Sequence, residues 1–283
     1  MIFEALRPQL FSLAYRMMGT RADAEDIVQD AYLRWQSADR SLVLSPRSYL
    51  NAVVARLSLD ALKSARHKRE TYVGTWLPEP MAQVPDASAA VEMADSLSMA
   101  FLHVLESLSP VERVAFLLRE VFGAEYSEVA VVLETSEANC RQLVARARTH
   151  MREKRPRFSV DSTKHQTVLR EFITACAKDD KTALVSMLRD DAILYSDGGG
   201  KAAAALNPIY GADRIARFFL GVRDKQPAGL RVEPSLAGGM PALAFVTDSG
   251  IDGLMSLDLD EDGRIQGVYI VRNPDKLGTY MRH

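Results

Sequence analysis

Apolar side chains recur every three or four positions near the start of the chain, at Leu6, Leu10, Leu13, Ala14 and Met17. They recur again at Ile27, Val28, Ala31, Tyr32 and Trp35. That spacing puts each set on one stripe of an α-helix. Gly19 ends the first run, and Asp23 is the expected cap of the second, whose opposite face shows Glu25, Asp26, Gln29 and Asp30. Ser45-Pro46 is a cap followed by proline at the first helical position. The helix it opens carries Tyr49, Leu50, Val53, Val54, Leu57 and Leu62 inward, with Arg56, Asp60, Lys63 and His67 on a different stripe. Periodicity then lapses over residues 71–90. Pro78, Pro80 and Pro85 forbid a helix there, and Ala87-Ser88-Ala89-Ala90 resumes one.

The second helical block covers residues 91–157. Ser109-Pro110-Val111-Glu112 forms a capping box with proline in the first turn. Gly123 stops that helix, a short one runs from Tyr126 to Leu133, and a long one starts at Glu137. After a boundary at 156–164 the period changes. Helices are predicted over His165–Lys178 and Lys181–Leu188, then strands at Ala192–Ser196, Ala242–Val246, Gly253–Asp258 and Arg264–Arg272, separated by turns rich in Gly and Asp. The predicted organisation is therefore two all-α domains, 1–70 and 91–157, joined by a linker at 71–90. An α+β domain with a curved antiparallel sheet follows at 164–283.

The pattern from Val129 to Leu143 fits a helix-turn-helix. Ala130 is the small residue where two helices cross, Val129 and Leu133 close the first, and Cys140 and Leu143 anchor the second. Ser136 is positioned to cap the second helix, whose outward residues are Glu137, Ala138, Asn139, Arg141, Gln142, Ala145 and Arg146. Asn, Gln and Arg side chains read base edges in a major groove, and Arg148, Arg152 and Lys154 extend the positive stripe for phosphates. A solvated helix hairpin is the alternative. Cys140 lies on the inward stripe and is expected in the core.

Charge sharpens this picture. The net charge of −2 selects no partner, but the signs are segregated. Between Arg141 and Arg157 the basic residues Arg141, Arg146, Arg148, Arg152, Lys154, Arg155 and Arg157 face the single acid Glu153. Lys63, Arg66, Lys68 and Arg69 form a second patch around His67. Local patches of this kind suit a polyanion. Two cysteines, Cys140 and Cys176, are too few for a disulfide framework and lack metal-type spacing. No apolar run approaches a membrane span, and the N-terminal segment lacks the make-up of a signal peptide. A cytoplasmic protein with no metal and no cofactor is expected.

The order of these features resembles a known family. The string Asp23-Ala24-Glu25-Asp26-Ile27-Val28-Gln29-Asp30-Ala31-Tyr32, a basic helix, a linker, a helix-turn-helix and a closing Arg146-Ala147-Arg148 resemble the extracytoplasmic-function (ECF) class of RNA polymerase sigma factors, over residues 1–155. The resemblance implies core RNA polymerase and promoter DNA as partners. It places Asp26, Gln29, Asp30 and Trp35 in the polymerase-binding region. Arg56, Asp60, Lys63, Ser64 and His67 fall on the −10 helix, and Arg141, Gln142, Ala145, Arg146 and Arg148 on the −35 helix. The chain departs from the family at Glu134, where the turn usually has glycine, and at Glu125, which stands for a serine cap. A strained or rebuilt turn is expected there.

The remainder resembles the SnoaL-like branch of the NTF2-like fold, which one ECF subgroup carries as a C-terminal extension. The subgroup's strings are present: Trp76-Leu77-Pro78-Glu79-Pro80, Asp197-Gly198-Gly199-Gly200-Lys201 and Asn273-Pro274-Asp275-Lys276-Leu277. Relatives of this fold include enzymes, for which Tyr195, Asp197 and His165 are the candidate cavity groups, and the cavity also makes room for an unidentified small-molecule ligand. The favoured expectation is no catalysis. Asp197 serves its glycine turn or pairs with Lys201, and His165 sits exposed at a helix start. The stiff linker docks on the extension near the other two strings and governs the DNA-reading domains in cis. A free-standing regulator using the same helix-turn-helix, and an enzyme targeted by the N-terminal part, are the rival readings.

Overall fold

The computed structural model describes residues 2–82, 97–154, 162–223 and 225–280, with the side chains of 64–70, 154 and 279 outside that description. The chain forms two compact units, Met1–Thr71 with Leu102–Arg155, and Tyr72–Phe101 with Pro156–His283. The expected helix at Ala87–Ala90 lies outside the described residues.

The first unit is helical: α1 (Ile2–Met18), α2 (Arg21–Ser37), α3 (Pro46–Glu70), α4 (Met99–Glu106, its first turn in the other unit), α5 (Pro110–Phe116), α6 (Tyr126–Leu133) and α7 (Glu137–Lys154). A π-helical turn, Leu117–Val121, continues α5. Helix α1 buries Leu10, Leu13, Ala14 and Met17 completely and ends at Gly19, whose φ of 76° suits the reversal. Helix α2 is capped by Thr20, not by Asp23 as its acidic first turn suggested. The Thr20 side chain accepts from the Asp23 backbone N–H, so the helix starts at Arg21. Tyr32, expected inward, is 39% exposed and meets Phe3 edge-on at 5.0 Å.

Two arginines fasten helices of this unit by their ends. Arg113 of α5, buried, donates to the Met17 carbonyl at the end of α1 (2.6 Å) and to Glu106 (2.7 Å). Arg56 of α3 donates to the Val131 and Val132 carbonyls at the end of α6 (2.6 and 3.3 Å). Terminal carbonyls lack helical partners and carry the negative end of the helix dipole, so a guanidinium there is doubly favoured. Ser48 of α3 also hydrogen-bonds Glu128 of α6. Arg16 is buried against Ser12 and lies 5.6 Å from the Phe122 ring centre, and burial pushes its pKa down to about 10.

The second unit is α+β: α8 (Ser162–Ala177), α9 (Lys181–Met187), β1 (Leu188–Asp197), β2 (Ile209–Tyr210), α10 (Ala212–Arg223), β3 (Arg231–Ala237), β4 (Met240–Thr247), β5 (Gly250–Leu259) and β6 (Ile265–Val271). The six-stranded sheet has the order β2-β1-β6-β5-β4-β3. It is mixed rather than wholly antiparallel. β1 and β6 pair in parallel, which their wide separation along the chain permits because no hairpin joins them. β3 was missed in the sequence because it is an edge strand, mostly exposed and carrying Pro234.

Strand alternation gives the sheet two apolar faces. Leu194, Leu243, Met255, Leu257, Val268 and Ile270 face the helices and pack with Phe172 and Ile215. Ala242, Ala244, Leu254, Tyr269 and Val271 form the other face, and no helix of α8–α10 covers it. Linker residue Leu77, together with Met99 and Ala100, covers that face. His165, expected exposed, is buried on α8, because that helix packs on strands β4 and β5.

Two outcomes follow from this packing. Glu134 ends α6 in the left-handed region, φ 52°, where a Cβ costs about 1–2 kcal/mol. Glu134→Gly is expected to stabilise the chain by about 0.5–1 kcal/mol in urea unfolding, glycine's own entropy offsetting part of the relief. Burial also pushes the His165 pKa down to about 4, the Leu257 backbone opposing, and neither ring nitrogen makes a well-directed hydrogen bond among the described residues. The unfolded imidazole binds its proton below about pH 6.5, so between about pH 6.5 and 4 unfolding takes up a proton and stability falls with pH. The loss approaches about 3 kcal/mol. Urea melts at pH 7 and 4.5 are expected to show a shallower pH dependence for His165→Gln than for the parent.

Candidate regulatory lock and nucleic-acid interface

The second unit is centred on one carboxylate. Asp197 ends β1 with no exposure to solvent, and period-2 alternation turns it to the linker-covered face alongside Tyr195. Each of its oxygens receives two donors. Oδ1 accepts from the Tyr72 hydroxyl (2.6 Å) and the Gly199 N–H (3.0 Å). Oδ2 accepts from the Leu77 N–H (2.9 Å) and the Lys276 ammonium (2.7 Å). A buried carboxylate needs this saturation to repay its desolvation. Burial first, and then the bond to Asp197, hold the Tyr72 phenol well above its ordinary pKa.

The three strings meet here. Lys276 is buried, donates also to the Leu77 carbonyl, and lies 4.1 Å from the Trp76 ring centre and 5.1 Å from that of Tyr72. It therefore binds the linker through charge, backbone and ring at once. Asn273 caps the turn Pro274–Lys276 by accepting from the Asp275 N–H (3.1 Å), and its amide donates to the Tyr72 hydroxyl (2.8 Å). The Asp197 carbonyl accepts the N–H groups of Arg272 and Asn273. Leu277 is buried in the apolar cluster with Leu77.

The glycines allow close approach. A Cβ on Gly198 would stand 2.2 Å from the Ala202 carbonyl oxygen, and one on Gly199 2.3 Å from the Asn273 amide nitrogen. At Gly200 it would press on Val73 at 3.3 Å. Lys201 does not pair with Asp197. It reaches Asp275 (2.5 Å) at the surface, because Lys276 already fills the buried carboxylate. Within the linker Trp76 is half-buried, whereas Leu77, Pro78, Glu79 and Pro80 are buried. The Met81 carbonyl accepts from the Gly238 N–H (2.8 Å), and Tyr280 donates to the Leu236 carbonyl (2.7 Å). Tyr72 went unread in the sequence, since a lone tyrosine outside any string carries no signal.

In the helical unit, Asp26, Gln29 and Asp30 stand exposed on one side of α2, whereas Trp35, expected in the polymerase-binding region with them, is buried in the core, 5.8 Å from the Tyr49 ring, and offers no exposed face. On α3, Asp60 and Lys63 are exposed and paired with each other (2.8 Å), Arg56 is held by α6 as described, and the side chains of Ser64 and His67 lie outside the described residues. Helix α7 follows α6 after a cap in which Ser136 accepts from the Asn139 N–H (3.2 Å). Cys140, Leu143, Val144 and Ala147 point inward, and Arg141, Gln142, Ala145, Arg146 and Arg148 point outward. Three of these arginines have carboxylate partners: Glu137 for Arg141 (2.7 Å), Glu112 for Arg146 (3.1 Å) and Glu120 for Arg148 (2.6 Å). Such exposed pairs are weak and readily exchanged for other partners.

Asp197→Asn is expected to remove about 3–5 kcal/mol from the second unit, because it leaves the Lys276 ammonium buried without its counter-charge. Asp197→Asn with Lys276→Met is expected to cost clearly less than the two single losses added. Additive losses in urea unfolding would show that the two groups do not act as a pair.

Comparison with known proteins follows the same division. Residues 2–68 match the Sigma-70 region 2 model and residues 98–151 the Sigma-70 region 4 model. The chain is 42% identical to the ECF RNA polymerase sigma factor SigJ of Mycobacterium tuberculosis, over 97% of this chain and 91% of that one. It is 33% identical to the probable ECF RNA polymerase sigma factor SigI of the same organism, over 97% of this chain and 93% of that one. A crystal structure of Mycobacterium tuberculosis SigJ matches with a TM-score of 0.79 and 36% identity, covering 98% of both chains. No helix among the described residues is long and apolar enough to cross a membrane. The chain belongs to the extracytoplasmic-function family of RNA polymerase sigma factors.

Proposed function

We propose that this chain binds core RNA polymerase and directs initiation at promoters with −10 and −35 elements, and that its C-terminal unit governs that activity in cis by holding the linker. The saturated carboxylate of Asp197 carries the second half of this reading. It ties linker backbone at Leu77 to a glycine turn and to Lys276, and nothing in helix or sheet formation demands that bond. The linker joins the helices expected to read the two promoter elements, so fixing its path fixes the reach between them. Exposed Asp26, Gln29 and Asp30 are the polymerase-facing groups in this reading. Arg56, Asp60, Lys63, Ser64 and His67 serve the −10 strand, and Arg141, Gln142, Ala145, Arg146 and Arg148 the −35 duplex. Arg56 must leave the carbonyls of α6 before it can serve DNA. The protein works in the cytoplasm, where its polymerase is.

Catalysis by the C-terminal unit is not part of this reading. All four donor positions around Asp197 are taken, which leaves no lone pair for a general base. Tyr195 is stacked on Tyr269 at 5.5 Å, and His165 belongs to the helix-facing side of the sheet. The sheet face where a ligand would lie is covered by Leu77, Met99 and Ala100.

In-vitro transcription with purified core polymerase tests both halves. The full chain is expected to start RNA at a cognate promoter. A chain stopped near residue 160, or Trp76→Ala, is expected to change the yield severalfold while still binding core polymerase. Failure of the full chain to bind the polymerase would overturn the first half; equal yields from all three would overturn the second.

A further inference from the structure

Two guanidinium groups from different elements lie within cation–π range of the Tyr126 ring. The Arg119 guanidinium carbon, from the π turn, is 4.7 Å from the ring centre, and that of Arg141, from α7, is 5.0 Å away. Arg119 is the fixed member. Its Nη1 donates to the Ala124 carbonyl (2.9 Å) and to Glu125 (3.2 Å), and its side chain is 29% exposed. Arg141 is the outward member, 55% exposed and steadied by Glu137. The π turn makes this arrangement available. Its Phe122 N–H reaches back to the Leu117 carbonyl (3.0 Å), which shifts the register of α5 and brings Arg119 over the start of α6. Single π turns inside helices often mark functional positions. Neither Arg119 nor Tyr126 would be recognised as DNA-reading from the helix-turn-helix pattern, since both precede its second helix.

We propose that Tyr126 is a positioning residue for promoter recognition: its ring, backed by Arg119, holds the Arg141 guanidinium in one orientation for a base edge in the major groove. This rests on the reading of α7 as the −35 helix. A long arginine on an exposed helix samples several rotamers, and binding must freeze one of them. A guanidinium held over a ring face has fewer rotamers left to lose, so a bidentate contact to guanine O6 and N7 costs less. The advantage belongs to the base pair that Arg141 meets and not to the phosphates, which any basic group can serve.

The test uses holoenzyme assembled from core polymerase and the full chain, with transcripts selected from a promoter library randomised across the −35 element. Arg141→Ala is expected to relax preference at one base pair. Tyr126→Leu is expected to relax the same base pair by about two- to fivefold, the range for an exposed cation–π contact, and to leave the other positions alone. Tyr126→Phe, which keeps the ring face, is expected to retain the preference, and Arg141→Ala with Tyr126→Leu to relax it no further than Arg141→Ala does. A Tyr126→Leu holoenzyme that loses yield equally on all −35 sequences, or loses none, would overturn the inference, the first outcome marking a merely structural ring. Retained preference in Arg141→Ala would overturn it as well. A parent holoenzyme with no −35 preference at all would overturn the reading of α7 and the inference together.

Discussion

A carboxylate shut away from water at Asp197 is the constraint around which the second unit is arranged. An ionised group there is tolerable only with a full set of donors, and those donors come from distant parts of the chain: Tyr72 and Leu77 in the linker, Gly199 in the next turn, Lys276 near the end. Each donor helps offset the desolvation of the carboxylate. The linker is thereby incorporated into the C-terminal unit, where its Leu77 completes an apolar face that the sheet cannot cover with its own helices. Buried ion pairs contribute more to specificity of arrangement than to stability in some systems, and that is the role assigned here. Asp197 with Lys276 selects one path for the linker.

The helical unit uses the same chemistry in a weaker form. Arg113 and Arg56 each satisfy the carbonyl end of a helix contributed by the other sequence block. Arg113 is buried and pairs with Glu106, which makes it a structural fastening. Arg56 is 42% exposed, and its nearest carboxylate, Glu134, stands 3.7 Å away, which makes it a fastening that can be exchanged. Phosphates compete well for such a guanidinium.

Much of the fold was legible because helices advertise themselves through spacing. The stripes of α1, α3 and α7, the capping box at Ser109 and the proline-broken linker all follow from local rules, and the structure keeps them. What escaped was decided by competition between near-equivalent groups. Thr20 and Asp23 both suit a helix start, and the hydroxyl took the role because the turn at Gly19 brings it to the Asp23 N–H. Lys201 and Lys276 both lie near Asp197, and burial chose Lys276. His165 looks like a surface residue until the sheet is placed over it. The strings around Trp76, Asp197 and Asn273 could be seen as related in the sequence, but the fourth member of the lock, Tyr72, carries no pattern of its own and appears only in three dimensions.

The path of the linker depends most on the bond from the Leu77 N–H to Asp197, and native-state hydrogen exchange of the Leu77 amide measures that bond directly. Exchange as slow as that of the β6 amides is expected, accelerating sharply when the carboxylate is replaced by alanine. A Leu77 amide that exchanges in the parent protein at the rate of an unstructured peptide would contradict it.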